Sequence, residues 1–492
     1  MHSRSVSPTA MALLMAAAFL SVFDIFVVNV ALPSLQHALQ ASLSQASLIV
    51  AAYELSFGMA LISSSRLGDR YGRRRLFGWG VASFSAASVL CGLATDITVL
   101  ILARILQGAT AALMFPQVYA ILRVSVPAHR QRSAFATLGA ALGLAALSGQ
   151  VIGGWLLQAD LLGLGWRMIF LINLPVGALI LTLLGRIPES RETDGAQLDP
   201  WTALALAAGV FGVLLGLMEG PAQHWPVWSL GSLLGGVTLL ILIGCHQQRL
   251  QQSGRPVLLD MQLLRRSDFG QASVLVVLLY STAGSFFISF ALLSQNGLAL
   301  TPQQAGLLFA PASAAFMLTS LAAPWLVRRL GNSAIVIGGL LHVAAFGALA
   351  LYAMSRPGAA DTGTLQTLTI IVGAAQGLTM TPLLNLILGR VPLGQAGSAS
   401  GLLSTLQQVG AALGVCVITL LYTPALQGGT GLDAYLNGFA QVQIYNLLAA
   451  LLVSLLLWRQ TRHTVADAIS PCLKAGTTPP WRPAPRQNDS SR

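Results

Sequence analysis

Charge is what this chain of 492 residues has least of. Only 9% of its residues are Asp, Glu, Lys or Arg, acidic residues number 16, and lysine occurs once, at Lys474. Soluble domains carry about a quarter of their residues charged, so that class is excluded. Cysteine is equally scarce. Cys91, Cys245, Cys416 and Cys472 form no CxxC pair, which removes a disulfide framework and a thiolate metal site and leaves them as small hydrophobes. The seven histidines are scattered without an HExxH pattern, and no nucleophile-base constellation points to an enzyme. No metal or cofactor is expected.

What is present is apolar residues, 55% of the chain, with a mean hydropathy of +0.71. A membrane-spanning helix needs roughly 20 consecutive apolar residues, and about fourteen such runs can be counted on that length criterion. They are continuous rather than alternating, which predicts helices and not a barrel. The first run is too long for the apolar core of a signal peptide and ends in NVALP instead of a small-residue cleavage site, so it is expected to be retained. The last stretch, TTPPWRPAPRQNDSSR, reads as a disordered tail.

The net charge of +11 raises the question of nucleic acid, and its distribution answers it. With both termini on the cytoplasmic side, 24 of the 27 basic residues fall in cytoplasmic arms and loops. That asymmetry is the positive-inside rule. The partner implied is the lipid bilayer, not nucleic acid.

Ser65 to Phe77, SRLGDRYGRRRLF, packs five arginines and one aspartate into a connection between two apolar runs. Topology asks only for the arginines. Asp69, Arg70, Gly72, Arg73 and Arg74 stand in an order that suits a cytoplasmic gate. Gly72 is free to take a positive φ at a tight turn, and Asp69 can accept from a helix amino terminus or from an arginine of another segment. The stretch also has an echo. Leu67, Arg70 and Gly72 align without gaps with Leu326, Arg329 and Gly331; Gln107-Gly108 followed by Pro116 has a counterpart in Gln376-Gly377 followed by Pro382; and Gly139/Gly143 finds Gly397/Gly401 at nearly the offset of the first match. Matches in the same order imply a duplicated half, spans one to six repeated as nine to fourteen. The expected organisation is an amino-terminal six-helix bundle over 1–190, two inserted helices and a cytoplasmic loop over 191–268, a carboxy-terminal six-helix bundle over 269–460, and a tail over 461–492.

On these motifs the chain resembles the major facilitator superfamily, and within it the fourteen-span drug:proton antiporters. Ser65 to Phe77 is similar to the family's loop motif. Asp24, Asn29, Ala31, Leu32 and Pro33 match its first-span motif, Arg104, Gln107 and Gly108 its fourth-span motif, and WRMIFLINLPVG, Trp166 to Gly177, the entry to its sixth span. Four positions depart from the pattern: Ser65 replaces glycine, Phe26 threonine, Leu48 tryptophan, and Gln150 the proline of the antiporter motif. The resemblance implies an all-α polytopic fold of two six-helix bundles plus two inserted helices, working by alternating access.

Asp24, Glu54 and Arg104 lie inside spans, where each costs roughly 2.5–3.5 kcal/mol at the bilayer centre. Asp24 or Glu54 is expected to carry the coupling proton, with Arg104 lowering the pKa of its partner in one conformation and releasing it in the other. His342, in a peripheral span, is expected to be a packed histidine. The candidate substrate contacts are the polar residues within spans, Asn29, Gln117, Tyr119, Tyr280, Gln295, Asn385 and Gln408, set among Phe, Leu and Met. The expectation is an exporter of small hydrophobic or cationic organic compounds, driven by the proton motive force, multi-pass in a bacterial inner membrane. A monomer is expected, with a periplasmic adaptor if the host is Gram-negative. The alternatives are a narrow-substrate metabolite or lipid exporter of the same fold, or a membrane sensor or scaffold that transports nothing.

Overall fold

The computed structural model describes residues 7–191, 199–253, 257, 261–331, 333–355, 361–389, 391, 396–427, 429 and 431–474, and all regular structure among them is helical. The long elements are α1 (Pro8–Ala38), α2 (Leu43–Tyr71), α3 (Arg73–Gly92), α4 (Ile97–Ser125) and α5 (Ala128–Ala159). A broken helix follows, α6 (Met168–Leu171) and α7 (Asn173–Thr182), and then the pair α8 (Pro200–Ala222) and α9 (Val227–Gln252). After the short α10 (Met261–Arg265) come α11 (Ser267–Leu292), α12 (Pro302–Leu330), α13 (Ser333–Met354), α14 (Thr362–Gly389), α15 (Ala396–Gln427) and α16 (Leu432–Lys474). The helix of α16 thus continues past residue 460, where a tail was expected, and residues 475–492 lie outside the described part.

Among the described residues, 12 helical stretches are long and apolar enough to cross a membrane. The count of fourteen is not reached on that measure because α2 and α3 fall outside it. Helix α3 opens on Arg73, Arg74 and Arg75, which lowers the mean hydropathy of so short a helix.

The packing repeats. Helix α1 lies against α5, α2 against α4, and α3 against both α4 and α7; α11 lies against α15, α12 against α14, and α13 against both α14 and α16. The seams between the two sets are equivalent too, α5 on α12 and α15 on α2. Local chemistry follows the same symmetry. Ser42 and Gln45 close a capping box at the start of α2, and Thr301 and Gln304 do so at the start of α12, each satisfying two otherwise orphaned amides. Gly72 ends α2 at φ 101° and Gly331 ends α12 at φ 62°, a region open to glycine. Gly108 brings α4 onto the Tyr53 carbonyl of α2, and Gly377 brings α14 onto the Phe316 carbonyl of α12.

Glycines four apart let helices approach closely: Gly149/Gly153 rest on Phe23 and Val27 of α1, and Gly410/Gly414 on Val277 and Ser281 of α11, both within a bundle. Gly143 meets the other bundle at Met317, and Gly139 has open space before it. Helix α8 packs on α9 and also on α2 and α15, so the inserted pair sits over one of the two seams.

Candidate functional site

The break between α6 and α7 is set by Pro175, which has no N–H to offer the Leu171 carbonyl one turn back. Asn173 follows the break and turns its side chain into the first bundle. There Asp24 of α1 is fully buried and ion-paired with Arg104 of α4, which is 1% exposed. Asp24 Oδ1 also accepts from Gln107 Nε2 at 2.9 Å and from Asn173 Nδ2 at 3.0 Å. Both amides reach Ser88 Oγ of α3, at 2.7 and 3.1 Å. Arg104 donates further to Gln107 Oε1 at 2.7 Å and to the Ile49 carbonyl at 3.2 Å. Its guanidinium lies 4.2 Å from the centre of the Tyr53 ring, a favourable face for a desolvated cation. Helices α1, α2, α3, α4 and α7 therefore meet on one charge pair.

The structure thus brings Asp24 and Arg104 together and leaves Glu54 apart. Glu54 is buried, within Coulomb range of Arg104, and its Oε2 has no hydrogen-bond partner. It sits one turn before Gly58, where Thr405 Oγ1 of α15 donates to the Gly58 carbonyl at 2.8 Å, so it is on the side of α2 that meets the second bundle. Gln107, Ser88 and Asn173 were not singled out as site residues. The signal for Gln107 was its spacing from Arg104, three residues on one helical face; Asn173 stood inside the quoted sixth-span motif, and nothing marked Ser88.

Among the described residues the second bundle has no such buried charge. Gly373 occupies the place equivalent to Arg104, one turn before Gln376. Its buried polar groups are neutral: Ser281 with Tyr445 at 2.7 Å, Ser285 with Asn446 at 2.6 Å, and Ser289 with Gln443 at 3.2 Å, joining α11 to α16. His342 is packed as expected, buried and stacked on Phe346.

The loop motif differs from expectation in one contact. Asp69 pairs with Arg73 of its own loop at 2.6 Å, not with the other bundle. The loop is fastened to the segment after α7 by Arg73 N to the Ser190 carbonyl and Arg74 N to Glu189 Oε1, at 2.9 and 3.0 Å. Arg70 lies over the Tyr71 ring.

The substrate candidates divide. Gln117 is tied to the Ser64 carbonyl at 3.0 Å, bridging α4 and α2. Asn29 is buried with Oδ1 unpartnered. Gln295 lies in a π turn ending α11 and donates to the Val30 carbonyl of α1 at 2.7 Å. Gln408 packs on Gly58. Tyr119 and Tyr280, from opposite bundles, are near enough to interact electrostatically. The side chain of Asn385 lies outside the described residues. Unanticipated is an aromatic ladder, Tyr53, Phe57, Phe115, Tyr119 and Phe135, with successive ring centres 5.9, 5.5, 5.5 and 6.2 Å apart. It leads from Arg104 towards the end of the bundle that holds the arginine-rich loop, and Tyr119 on it is 38% exposed. Phe26, one of the departures from the first-span motif, meets Phe287 of α11 edge to face across the seam at 5.1 Å.

Two helical bundles of equivalent packing, one holding a buried ion pair at its centre, are the architecture of a secondary transporter rather than an enzyme. The chain belongs to the Major Facilitator Superfamily, whose family model matches residues 14–415. It is 32% identical over 417 residues to the probable actinorhodin transporter of Streptomyces coelicolor, covering 84% of this chain and 72% of that protein. It is 34% identical over 408 residues to the drug efflux pump JefA of Mycobacterium tuberculosis, with 81% and 77% covered, and 30% identical over 461 residues to the puromycin resistance protein of Streptomyces alboniger, with 90% and 89% covered. Among solved structures, a bacterial homologue of the lysosomal transporter Spinster in an inward-facing state has a TM-score of 0.67 at 16% identity, covering 93% of this chain and 97% of that one. A peptide transporter of the POT family also scores 0.67, at 15% identity.

Proposed function

We propose that the protein exports hydrophobic or cationic organic compounds in exchange for protons, by rocking the bundles over 1–190 and 269–460 against each other. The observation that carries this reading is the Asp24–Arg104 pair, confined to one bundle, beside a second buried carboxylate, Glu54, left unpartnered near the seam. A proton on Asp24 weakens its hold on Arg104, and Glu54 is the next acid in range. Two carboxylates and one guanidinium permit an exchange of partners, and relays of this kind are what ionisable groups inside a membrane serve.

The seam contacts support an opening towards the end that holds the arginine-rich loop. Thr301 Oγ1 to Gln158 Oε1 at 3.1 Å, Gln295 to Val30, and Gly154 on Pro302 all lie at the end of the bundles opposite the arginine-rich loop. With positive loops inside, that end is the outer one and is closed. The Asp69 latch is then released, in keeping with its pairing inside its own loop. In this reading α2 and α3 also cross, fourteen spans in all, both termini are cytoplasmic, and the membrane is the bacterial inner membrane. The aromatic ladder with Tyr119 and Tyr280 gives flat or cationic compounds faces to stack on.

The relatives' names include both a drug efflux pump and a transporter for a single antibiotic, so a narrow substrate range is the second reading. Proteoliposomes carrying an interior pH dye test both. Proton movement evoked by several unrelated cationic dyes, and abolished by Asp24→Asn, supports polyspecific antiport. A response to a single compound supports the narrow reading, and silence with every compound removes proton coupling.

A further inference from the structure

The two seams between the bundles differ towards the end that holds the arginine-rich loop. From the opposite end inwards the α5–α12 seam is closed, with Gly154 on Pro302, Gly306 on the Gln150 carbonyl and Gly143 on Met317. Beyond Gly143 and Met317 it parts. Gly139, one turn nearer the arginine-rich end and on the same side of α5, is exposed, and nothing packs within 4 Å of where a Cβ would stand. On α12, Leu321 lies one turn past Met317 and is 53% exposed; Pro324 and Arg328 continue that side of the helix and are exposed too. A rise of about 1.5 Å per residue puts Gly139 about 16 Å and Leu321 about 14 Å from the nearer ends of their helices. They face each other at one depth, about that of one leaflet of a hydrocarbon core about 30 Å thick.

The α2–α15 seam stays covered over the same depth. No described side chain of α2 within 58–69, or of α15 within 399–410, is exposed. The inserted pair accounts for this: Ala203 and Leu206 of α8 pack on the core that holds Leu402 and Leu403 of α15, and Arg66 of α2 donates to the Val257 carbonyl beyond α9 at 3.0 Å. The bare slot, in contrast, has an aromatic inner edge. Phe135 stands one turn from Gly139 and about 80° round α5 from Gly143, turned from the seam towards the interior, where its ring stacks on Tyr119 at 6.2 Å. Tyr119 is 38% exposed and belongs to the ladder that leads to Arg104. The walls of the slot, 128–143 and 317–330, contain no acidic residue, and His129, Arg130, Arg328 and Arg329 stand exposed at its rim.

We propose that the slot between α5 and α12 is a side entrance, through which neutral, flat apolar compounds dissolved in the cytoplasmic leaflet reach the Phe135–Tyr119 stack. By covering the other seam, the inserted pair confines lateral entry to this side. Apolar walls let such a compound pass from lipid to the interior without crossing water, and the two rings give it faces to stack on. A basic rim with no acid repels cations from this entrance, so a cation in water comes in through the opening between the bundles instead. This inference rests on the export reading and names the route and the class of one set of its substrates.

The test uses the full chain in liposomes with an interior pH dye and two probes: N-phenyl-1-naphthylamine, which is neutral and partitions into lipid, and ethidium, a cation in water. Gly139→Leu narrows the slot without endangering the helix, since leucine is the better helix former. Proton flux driven by N-phenyl-1-naphthylamine should fall about tenfold, the low end of what one misplaced methylene costs in an apolar pocket, while ethidium-driven flux stays at the wild-type level. The double variant Gly139→Leu with Leu321→Ala should restore it. A bimane on Gly139→Cys, in a chain with Cys245→Ser and Cys472→Ser, should be quenched by phosphatidylcholine brominated on its acyl chains. Absence of that quenching means that the slot does not open to lipid and overturns the inference. Equal loss of flux with both probes in Gly139→Leu makes the position one of packing or rocking and overturns it too, and unchanged flux with both does so while leaving export intact. A wild type that answers ethidium alone overturns the substrate class, and one that answers neither probe removes the export reading as well.

Discussion

Replacing Asp24 with asparagine changes one atom in the network and reverses its electrostatics. The amide oxygen can still accept from Gln107 Nε2 and Asn173 Nδ2, which both point at the present Oδ1. The amide nitrogen then replaces Oδ2 and presents hydrogens to the Arg104 guanidinium, which also has only hydrogens to offer. Arg104, 1% exposed, is left as a buried cation whose remaining partners are neutral. Removing one member of a buried pair costs about 3–5 kcal/mol, chiefly through the stranded charge. Asp24→Asn should therefore lower thermal stability in detergent and abolish probe-driven proton flux in liposomes. The double variant Asp24→Asn with Arg104→Gln removes the stranded charge and should recover most of the stability without recovering flux. That divergence separates a charge kept for coupling from one kept for packing. A single variant that melts with the wild type and still moves protons would refute both the energetic argument and the assignment.

Three further outcomes are expected. Gly108→Val should be more damaging than a typical small-to-large change, which costs about 1–3 kcal/mol, because the new side chain meets the Tyr53 carbonyl backbone and displaces the ring on which Arg104 lies; thermal melting and folded yield check it. Gly72→Ala should cost about 1–3 kcal/mol in backbone strain at φ 101° and bring a methyl 3.0 Å from Glu189 Oε1, loosening the loop's hold on the segment after α7; melting and protease cleavage in the loop would show it. Asp96 caps α4 at the outer surface, and the Val99 amide holds its carboxyl below the ordinary carboxylate range. Its folded pKa is depressed, so the stability it adds is present above the unfolded pKa and is lost as pH falls through the folded value. Asp96→Asn should remove that part of the acid dependence of melting, and an unchanged profile would exclude the cap as its source.

Much of the fold can be seen in the sequence because a bilayer allows few solutions. Apolar length and arginine placement are set by the solvent, and both are one-dimensional. The duplication was visible for the same reason: Gly72 and Gly331, or Gly108 and Gly377, are demanded by backbone geometry that no other residue satisfies cheaply. Two weaknesses had physical causes. Helix α2 holds a buried acid and α3 opens on three arginines, and neither is among the 12 stretches long and apolar enough to cross. The site was only half visible because charge can be read from sequence and neutral hydrogen bonding cannot. Asp24 and Arg104 announce themselves inside an apolar run, whereas Ser88 is indistinguishable from many small residues that pack helices. Glu219, buried near the end of α8, was overlooked because an acid near a helix end costs little.

Symmetry of scaffold and asymmetry of charge have a joint consequence. On the proposed alternating access, equivalent seams, α5 on α12 and α2 on α15, would give the bundles equivalent ways to part at either end, so packing alone would have no strong preference between the two openings. A bias must then come from something the halves do not share. The ion pair is one such thing, and it sits in a bundle whose partner offers Gly373 where it has Arg104. The covering of only the α2–α15 seam by α8 is the other. On the proposed proton coupling, protonation in the first bundle would be felt against a second bundle whose described buried groups are neutral, across a seam that α8 covers. Exchanging the character of the halves should expose this: adding an arginine at Gly373 would drive a side chain into the Ala312 carbonyl of α12 and collapse the second bundle instead of creating a second coupling site. The close approach that glycine permits there is what keeps the chemistry on one side.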